Sequence, residues 1–146
     1  MDMHRRCMAD ITGDKRADII GFGNAGVWVS LANADGSYSA PQLVLTAFGY
    51  DAAAGGWRVD RHPRFLADTN GAGRADIVGF GDAGVYVAVA NGSGGFNAPH
   101  LVMPNFGYSA GGWRVDRHPR MLADTTGDHR DDNVGFGDAG VYLYRW

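Results

Sequence analysis

The sequence of 146 residues contains no Glu, a single Lys, a single Cys and no long apolar run. Glu and Lys are strong helix formers, whereas Asp and Gly favour caps and turns. Because all 16 acidic residues are Asp and 23 residues are Gly, we expect a chain that is not mainly helical. The one cysteine, Cys7, cannot form an internal disulfide. No apolar stretch approaches the roughly 18 residues of a membrane helix, so we predict no membrane span.

Three further absences restrict the function. The net charge is −3 and no stretch is strongly basic, which argues against a nucleic-acid partner. The N-terminal MDMHRRCMAD has no apolar segment, so we predict no Sec-type signal peptide and leave cytoplasmic and non-classically released locations open. Catalytic motifs are missing as well: there is no Glu acid–base pair, no Gly-x-Ser-x-Gly elbow and no zinc-type His cluster. We therefore predict a protein that is not an enzyme.

What the sequence does contain is a repeat. RHPRFLADTNGAGRADIVGFGDAGVYV begins at Arg61 and returns with few changes at Arg117, 56 residues later, and a third copy begins at His4. Self-similarity at a period of about 20 to 50 residues is typical of propellers, solenoids and repeat arrays, and a period of 56 lies just beyond that range, nearest to the propellers. Within one domain, 1–146, the predicted repeats are 4–60, 61–116 and a partial third at 117–146.

Each repeat has the pattern of four short strands. In the second repeat, apolar runs at 65–68, 75–80, 84–90 and 98–103 are separated by clusters of Gly, Asn and Asp. Four antiparallel strands per repeat are typical of a β-propeller blade. We therefore predict an all-β fold, a β-propeller of four-stranded blades. A repetitive β-domain with another kind of closure is the alternative.

The number of repeats raises the question of ring closure. A propeller has about four to eight blades, whereas this chain holds about 2.6. Trp146 aligns with the end of the third strand of the second repeat, and end blades would expose apolar faces and strand edges. We therefore predict a ring completed by homo-oligomerisation. A dimer is favoured over a trimer, because three such chains exceed the usual ring size. A fragment of a longer protein is the alternative.

A loop in the first and third repeats has the composition of a calcium site. It carries oxygen-bearing side chains at positions 1, 3, 5 and 9 of a Gly-containing turn, and position 7 offers a backbone carbonyl. Since Ca²⁺ prefers about six to eight oxygen ligands, we predict structural Ca²⁺ there. The alternative is that the Asp side chains cap turn amides. The candidate ligands are Asp10, Thr12, Asp14, Arg16 and Asp18 in the first repeat, and Asp124, Thr126, Asp128, Arg130 and Asp132 in the third.

This loop, followed by ADIIGFG or ADIVGFG, resembles the FG-GAP repeat of integrin-type propellers. With GFGDAGVYV and the GGWRVD linker in the same period, the sequence more closely resembles the Psathyrella velutina lectin family, and it does so over all three repeats. The resemblance implies a seven-bladed propeller that binds N-acetylglucosamine, and in some members sialic acid, in pockets between neighbouring blades. The chain departs from the family because it is too short for seven blades.

The block FGY…GGWRVDRHPR, at 48–64 and 106–120, lies where one repeat connects to the next. Its aromatic residues can cover the C–H face of a sugar, and its Arg, Asp and His can bond hydroxyl groups. Packing of the Trp between blades is the alternative. Asp in the GFGDAG turn can complete a pocket from the adjacent blade. The candidate sugar-binding residues are Tyr50, Trp57, Arg58, Asp60, His62 and Asp82 at the first connection, and Tyr108, Trp113, Arg114, Asp116, His118 and Asp138 at the second.

The function predicted from these observations is a multivalent lectin for N-acetylglucosamine-type glycans, with sites between adjacent blades. Two alternatives stay open: an integrin-like propeller that binds a protein partner, and a self-assembling propeller fragment. The linker block favours the lectin, because a sugar site should recur at every complete junction, whereas a protein-binding surface need not repeat.

Overall fold

The structure, a computed structural model, describes residues 3–146 and consists of short antiparallel strands with one turn of 3-10 helix at Ala52–Ala54. No helix in this part of the chain is long and apolar enough to cross a membrane. The strands are β1 (Arg6–Ala9), β2 (Asp18–Phe22), β3 (Val27–Ser30), β4 (Gln42–Leu45), β5 (Arg64–Ala67), β6 (Asp76–Phe80), β7 (Val85–Ala88), β8 (His100–Met103), β9 (Arg120–Ala123), β10 (Asp132–Gly137) and β11 (Gly140–Tyr144).

The strands form three separate sheets, one from each repeat. Blade 1 has the order β1-β2-β3-β4, blade 2 has β5-β6-β7-β8, and blade 3 consists of β9-β10-β11. All neighbouring strands are antiparallel and follow each other in the chain. The prediction of an all-β fold with propeller blades is confirmed, and the four strands of the second repeat lie within two residues of their predicted positions.

The core lies between the blades. One apolar cluster joins blades 1 and 2 and includes Ile20, Phe48 and Trp57. A second cluster joins blades 2 and 3 and includes Phe106 and Trp113. Each linker Trp is therefore a packing residue at a blade junction, with less than a tenth of its surface exposed.

A glycine lets each linker Trp approach the next blade closely. A Cβ atom added to Gly79 would lie 2.6 Å from the Phe48 ring and 2.7 Å from the Trp57 ring. A Cβ at Gly135 would be equally close to the rings of the second linker, 2.6 Å from Trp113. In each blade this glycine pairs across the strands with an aromatic residue: Gly21 with Trp28, Gly79 with Tyr86, and Gly135 with Tyr142.

Candidate functional site

A cavity of about 450 Å³ opens at the junction of blades 1 and 2. The linker supplies Trp57 and His62, the turn between β6 and β7 supplies Asp82, and β7 supplies Tyr86. Both blades therefore build this space, which we call the first pocket. It lies where the sequence predicts a sugar site.

A hydrogen-bonded His–Asp pair forms one side of the first pocket. The backbone N–H of Arg58 donates to Nδ1 of His62 at 3.1 Å. The proton of a neutral imidazole then lies on Nε2, which donates to Oδ1 of Asp82 at 3.1 Å. His62 is buried, whereas the Asp82 side chain is 58% exposed. The buried ring thus fixes the orientation of an accessible carboxylate, a group that can accept hydrogen bonds from a ligand.

The second pocket, of about 290 Å³, repeats this arrangement at the junction of blades 2 and 3. Nδ1 of His118 accepts the Arg114 N–H at 3.0 Å, and Nε2 contacts Oδ1 of Asp138 at 3.1 Å. The hydrogen bond from His118, together with the charge of Arg117, lowers the pKa of Asp138. Asp138 is therefore ionised at neutral pH.

Blade 1 carries part of the same arrangement on its other side. Nε2 of His4 contacts Oδ1 of Asn24 at 2.7 Å, and Trp28 occupies the position of Tyr86. His4 and Trp28 line a smaller cavity of about 190 Å³. Within residues 3–146 no linker Trp covers it, and a Cβ at Gly21 would meet no atom within 4 Å. We call this the half-site.

Arg58 and Tyr50 support the linker instead of lining the first pocket. The Arg58 guanidinium stacks on the Tyr50 ring at 3.7 Å and donates to the carbonyl oxygens of Tyr50 and Trp57 at 2.6 and 3.2 Å. Arg114 makes the same contacts in the second linker, on the ring and carbonyl of Tyr108. Both arginines therefore hold the loop that carries the Trp.

Six of the twelve predicted sugar-binding residues line a pocket, and the other six do not. Asp60 and Asp116 are exposed, and neither belongs to a pocket wall. The pocket residues are Trp57, His62 and Asp82 in the first pocket and Trp113, His118 and Asp138 in the second; Tyr50, Arg58, Asp60, Tyr108, Arg114 and Asp116 lie outside them.

Sequence reasoning missed Tyr86 and Tyr142, which add an aromatic wall from the following blade. Tyr86 lies edge-on to Trp57 with a ring distance of 6.0 Å, and Tyr142 lies edge-on to Trp113 at 5.7 Å. The signal was present, because each is the aromatic residue of a repeated GVY motif. Its position on a strand made it resemble an ordinary core residue.

Arg64 and Arg120 are further residues that sequence reasoning did not single out. Each is buried, and each donates to the carbonyl oxygen of the linker Phe, Arg64 to Phe48 at 2.8 Å and Arg120 to Phe106 at 2.9 Å. Burial lowers the pKa of both guanidinium groups to about 10. They are therefore still cations at neutral pH and tie the linker to the next blade.

In the predicted calcium loops, Asp carboxylates accept hydrogen bonds from the backbone N–H groups of the turn. Asp10 accepts the N–H groups of Gly13 and Lys15 at 2.7 and 2.6 Å, and Asp14 pairs with the Arg16 guanidinium at 2.5 Å. Asp124 accepts the N–H groups of the corresponding residues of the third repeat at 2.6 and 2.9 Å, and the bond from Gly127 contributes most to lowering its pKa. Across residues 3–146, no three His, Cys, Asp or Glu side chains form a group that could hold a metal. In this arrangement the loop carboxylates are bonded to protein groups, and the calcium prediction stays a prediction.

The last Asp of each loop accepts hydrogen bonds from the backbone of its own blade. Asp18 is fully buried and accepts the N–H groups of Ile11 and Ala32 at 3.1 and 2.9 Å. Asp76 makes the equivalent bonds in the second repeat, which lacks the acidic pattern of a calcium loop. Asp132 is also buried and bonds the backbone of Thr125. A buried Asp bonded to the backbone thus occurs in repeats with and without the acidic pattern of a calcium loop.

The comparison with solved structures identifies a fungal lectin. The chain superposes on the structure of an Agrocybe aegerita lectin that specifically recognises non-reducing terminal N-acetylglucosamine, with a TM-score of 0.93 and 50% sequence identity over 98% of the chain. The resemblance to the fungal propeller lectins is confirmed. The chain spans about a third of that lectin, 35% of its length.

More distant structures share only the fold. TcdB2-TccC3 without its hypervariable C-terminal region and TcdB2-TccC3-Cdc42 each superpose with a TM-score of 0.72 at 17% identity, over 97% of this chain and 6% of theirs. No family model and no curated protein matches the chain.

Proposed function

We propose that the chain binds terminal N-acetylglucosamine in its two junction pockets and acts by binding, not by catalysis. The observation that carries this proposal is the twofold occurrence of one arrangement, a buried Trp beside a His–Asp pair at 3.1 Å. The Agrocybe aegerita lectin, which recognises the same terminal sugar, supports the choice of ligand.

The chemistry of the pockets suits a neutral sugar. The exposed carboxylates of Asp82 and Asp138 can accept hydrogen bonds from hydroxyl groups, and the rings of Tyr86 and Tyr142 offer apolar walls. Charged acceptors make stronger hydrogen bonds than neutral ones. The same carboxylates repel an anion, so sialic acid is the less suitable ligand of the two that the resemblance implies.

We expect two binding sites per chain and their separate loss in Asp82→Ala and Asp138→Ala. Each variant removes the accessible acceptor of one pocket and leaves the buried Trp in place. Titration calorimetry with N-acetylglucosamine should give a stoichiometry near two for the native chain and near one for each variant. Trp57→Ala is a poorer test, because truncation of a buried Trp costs about 3 to 5 kcal/mol of stability.

Asp60→Ala and Asp116→Ala are the matched controls. Both remove an exposed carboxylate from the same linkers, outside the pockets, and should leave both sites intact. Absence of binding in the native chain, or full binding in the Asp82→Ala/Asp138→Ala double variant, would contradict the proposal.

We also propose that several chains assemble, with two favoured over three. Ile19 of blade 1 is 37% exposed, whereas Ile77, its equivalent in blade 2, is fully buried. Val141 of blade 3 is 65% exposed, whereas its equivalent Val85 is fully buried. In blade 2 these positions are buried because a neighbouring blade covers them. Within residues 3–146, no blade covers the outer faces of blades 1 and 3.

A further inference from the structure

The two pockets differ at one equivalent position, which is Ala47 in the first and Asn105 in the second. Oδ1 of Asn105 accepts the indole N–H of Trp113 at 3.2 Å and the backbone N–H of Phe106 at 2.7 Å. Ala47 has no side-chain acceptor. The Trp113 donor is therefore already bonded to the protein, whereas the first pocket has no counterpart of this bond.

The indole N–H of Trp57 is open to the first pocket. Within residues 3–146 it has no hydrogen-bond acceptor, and it is not one of the buried polar atoms that lack a partner, all of which lie on Arg and Asn side chains. Its nitrogen lies 2.8 Å from where a Cβ of Gly55 would stand, and Gly55 lines the cavity. A ligand oxygen at this wall can accept the free N–H.

The wall beside this donor is apolar. The 3-10 turn contributes Ala53 and Ala54, and Pro99 and Ala83 add further apolar atoms. This turn belongs to the segment with two extra residues, GYDAAAGGW in place of GYSAGGW. The second pocket is smaller and has Asn105, Gly111 and Gly112 at the corresponding wall. A hydrogen-bond donor next to methyl groups matches an acetamido group, which has a carbonyl oxygen and a methyl.

We propose that Ala47 makes the first pocket the acetamido-selective site of the chain, and that Asn105 makes the second pocket weaker for N-acetylglucosamine. The Trp57 N–H donates to the acetamido carbonyl oxygen, while Ala53 and Ala54 contact the methyl group. In the second pocket, Asn105 competes for the corresponding donor. This inference rests on the proposed function, because it assigns roles within the same two sites.

The test exchanges the two residues. Indole N–H resonances are followed by NMR during titration with N-acetylglucosamine, and with glucose as the probe that lacks the acetamido group. Trp146 lies outside both pockets and serves as the reference. In the native chain, the Trp57 signal should respond at an N-acetylglucosamine concentration about tenfold lower than the Trp113 signal, which corresponds to one net hydrogen bond. Glucose should show little difference between the sites.

Both exchange variants should reduce the difference in affinity between the two sites. Ala47→Asn should weaken the first site about tenfold, and Asn105→Ala should strengthen the second by a similar factor. Asn105→Asp keeps an acceptor for the Trp113 N–H, so it should not strengthen the second site as Asn105→Ala does. If Ala47→Asn does not fold, the two Asn105 variants carry the test.

The outcomes separate the inference from the function on which it rests. Equal affinities of the native sites, or exchange variants with native affinities, would overturn the inference alone. If neither indole signal responds to N-acetylglucosamine, the proposed function fails as well.

Discussion

The contact between each linker and the next blade depends on one residue without a side chain. Gly79 lies against the rings of Phe48 and Trp57, and Gly135 lies against the equivalent rings of the second linker. Gly21 has the same place in blade 1, where no atom of residues 3–146 lies within 4 Å of its missing Cβ. The three glycines are equivalent in sequence, yet in this part of the chain only Gly79 and Gly135 meet a linker.

Gly79→Ala should destabilise the chain, and Gly21→Ala should not. The added methyl at Gly79 would force the Phe48 and Trp57 rings apart, and overpacking of this kind costs about 1 to 3 kcal/mol. The measurement is the midpoint of urea unfolding, with Gly21→Ala as the control for the change of Gly to Ala in the same strand position. Equal stability of the two variants would show that the linker does not pack as described.

The choice between packing and binding for each residue could not be made from the linker sequence. Arg58, Asp60 and His62 stand close together in the chain, yet only His62 reaches the pocket. The difference arises from contacts with another blade, since His62 meets Asp82 some 20 residues away. Local sequence gives the residue types of a site, whereas the directions of the side chains depend on such long-range contacts.

At the level of the elements, strands were predictable because their apolar residues alternate and Gly-rich turns separate them. The predicted run at 75–80 and the observed strand Asp76–Phe80 differ by one residue. The 3-10 turn at Ala52–Ala54 was not predicted, because the extra residues of its loop carry only a local Ala-rich pattern. That turn forms the wall that distinguishes the first pocket from the second.

The Asp loops pose a question that thermal unfolding can answer. In the observed arrangement the carboxylates of Asp10 and Asp14 are bonded to turn amides and to Arg16, and the Asp18 side chain is buried. We therefore expect the same melting temperature in excess chelator and in millimolar Ca²⁺. A ligand that binds the folded state raises the melting temperature, so an increase with Ca²⁺ would instead support the calcium prediction. Asp14→Asn should abolish the part of such an increase that belongs to the first loop.

At the scale of the whole molecule, the sequence predicted the kind of fold from its repeats but not the environment of each repeat. Ile19 and Ile77 occupy the same position of their repeats, and one is exposed while the other is fully buried. Burial here depends on whether another blade lies on that side. The sequence pattern within one repeat cannot predict this difference in burial, because the difference depends on the order of the blades in the chain.

The exposed apolar side chains of the outer faces favour assembly. Burial of an exposed Ile or Val side chain stabilises by about 1.5 to 3 kcal/mol, so the outer faces of blades 1 and 3 favour contact with other copies of the chain. Light scattering at micromolar concentration should give a mass above the 15.6 kDa of one chain. Ile19→Asp and Val141→Asp should each lower that mass, because each places a charge on an outer face.

The matched control is Leu101→Asp, which adds the same charge at another exposed apolar side chain. Leu101 is 44% exposed and lies on β8, the last strand of the middle blade, which packs against blades 1 and 3 through the two apolar clusters. Its substitution should leave the mass unchanged, because the contact between copies uses only the end blades. A native chain with the mass of a monomer would contradict assembly. A loss of mass in all three variants alike would show that added charge, and not the outer faces, controls the association.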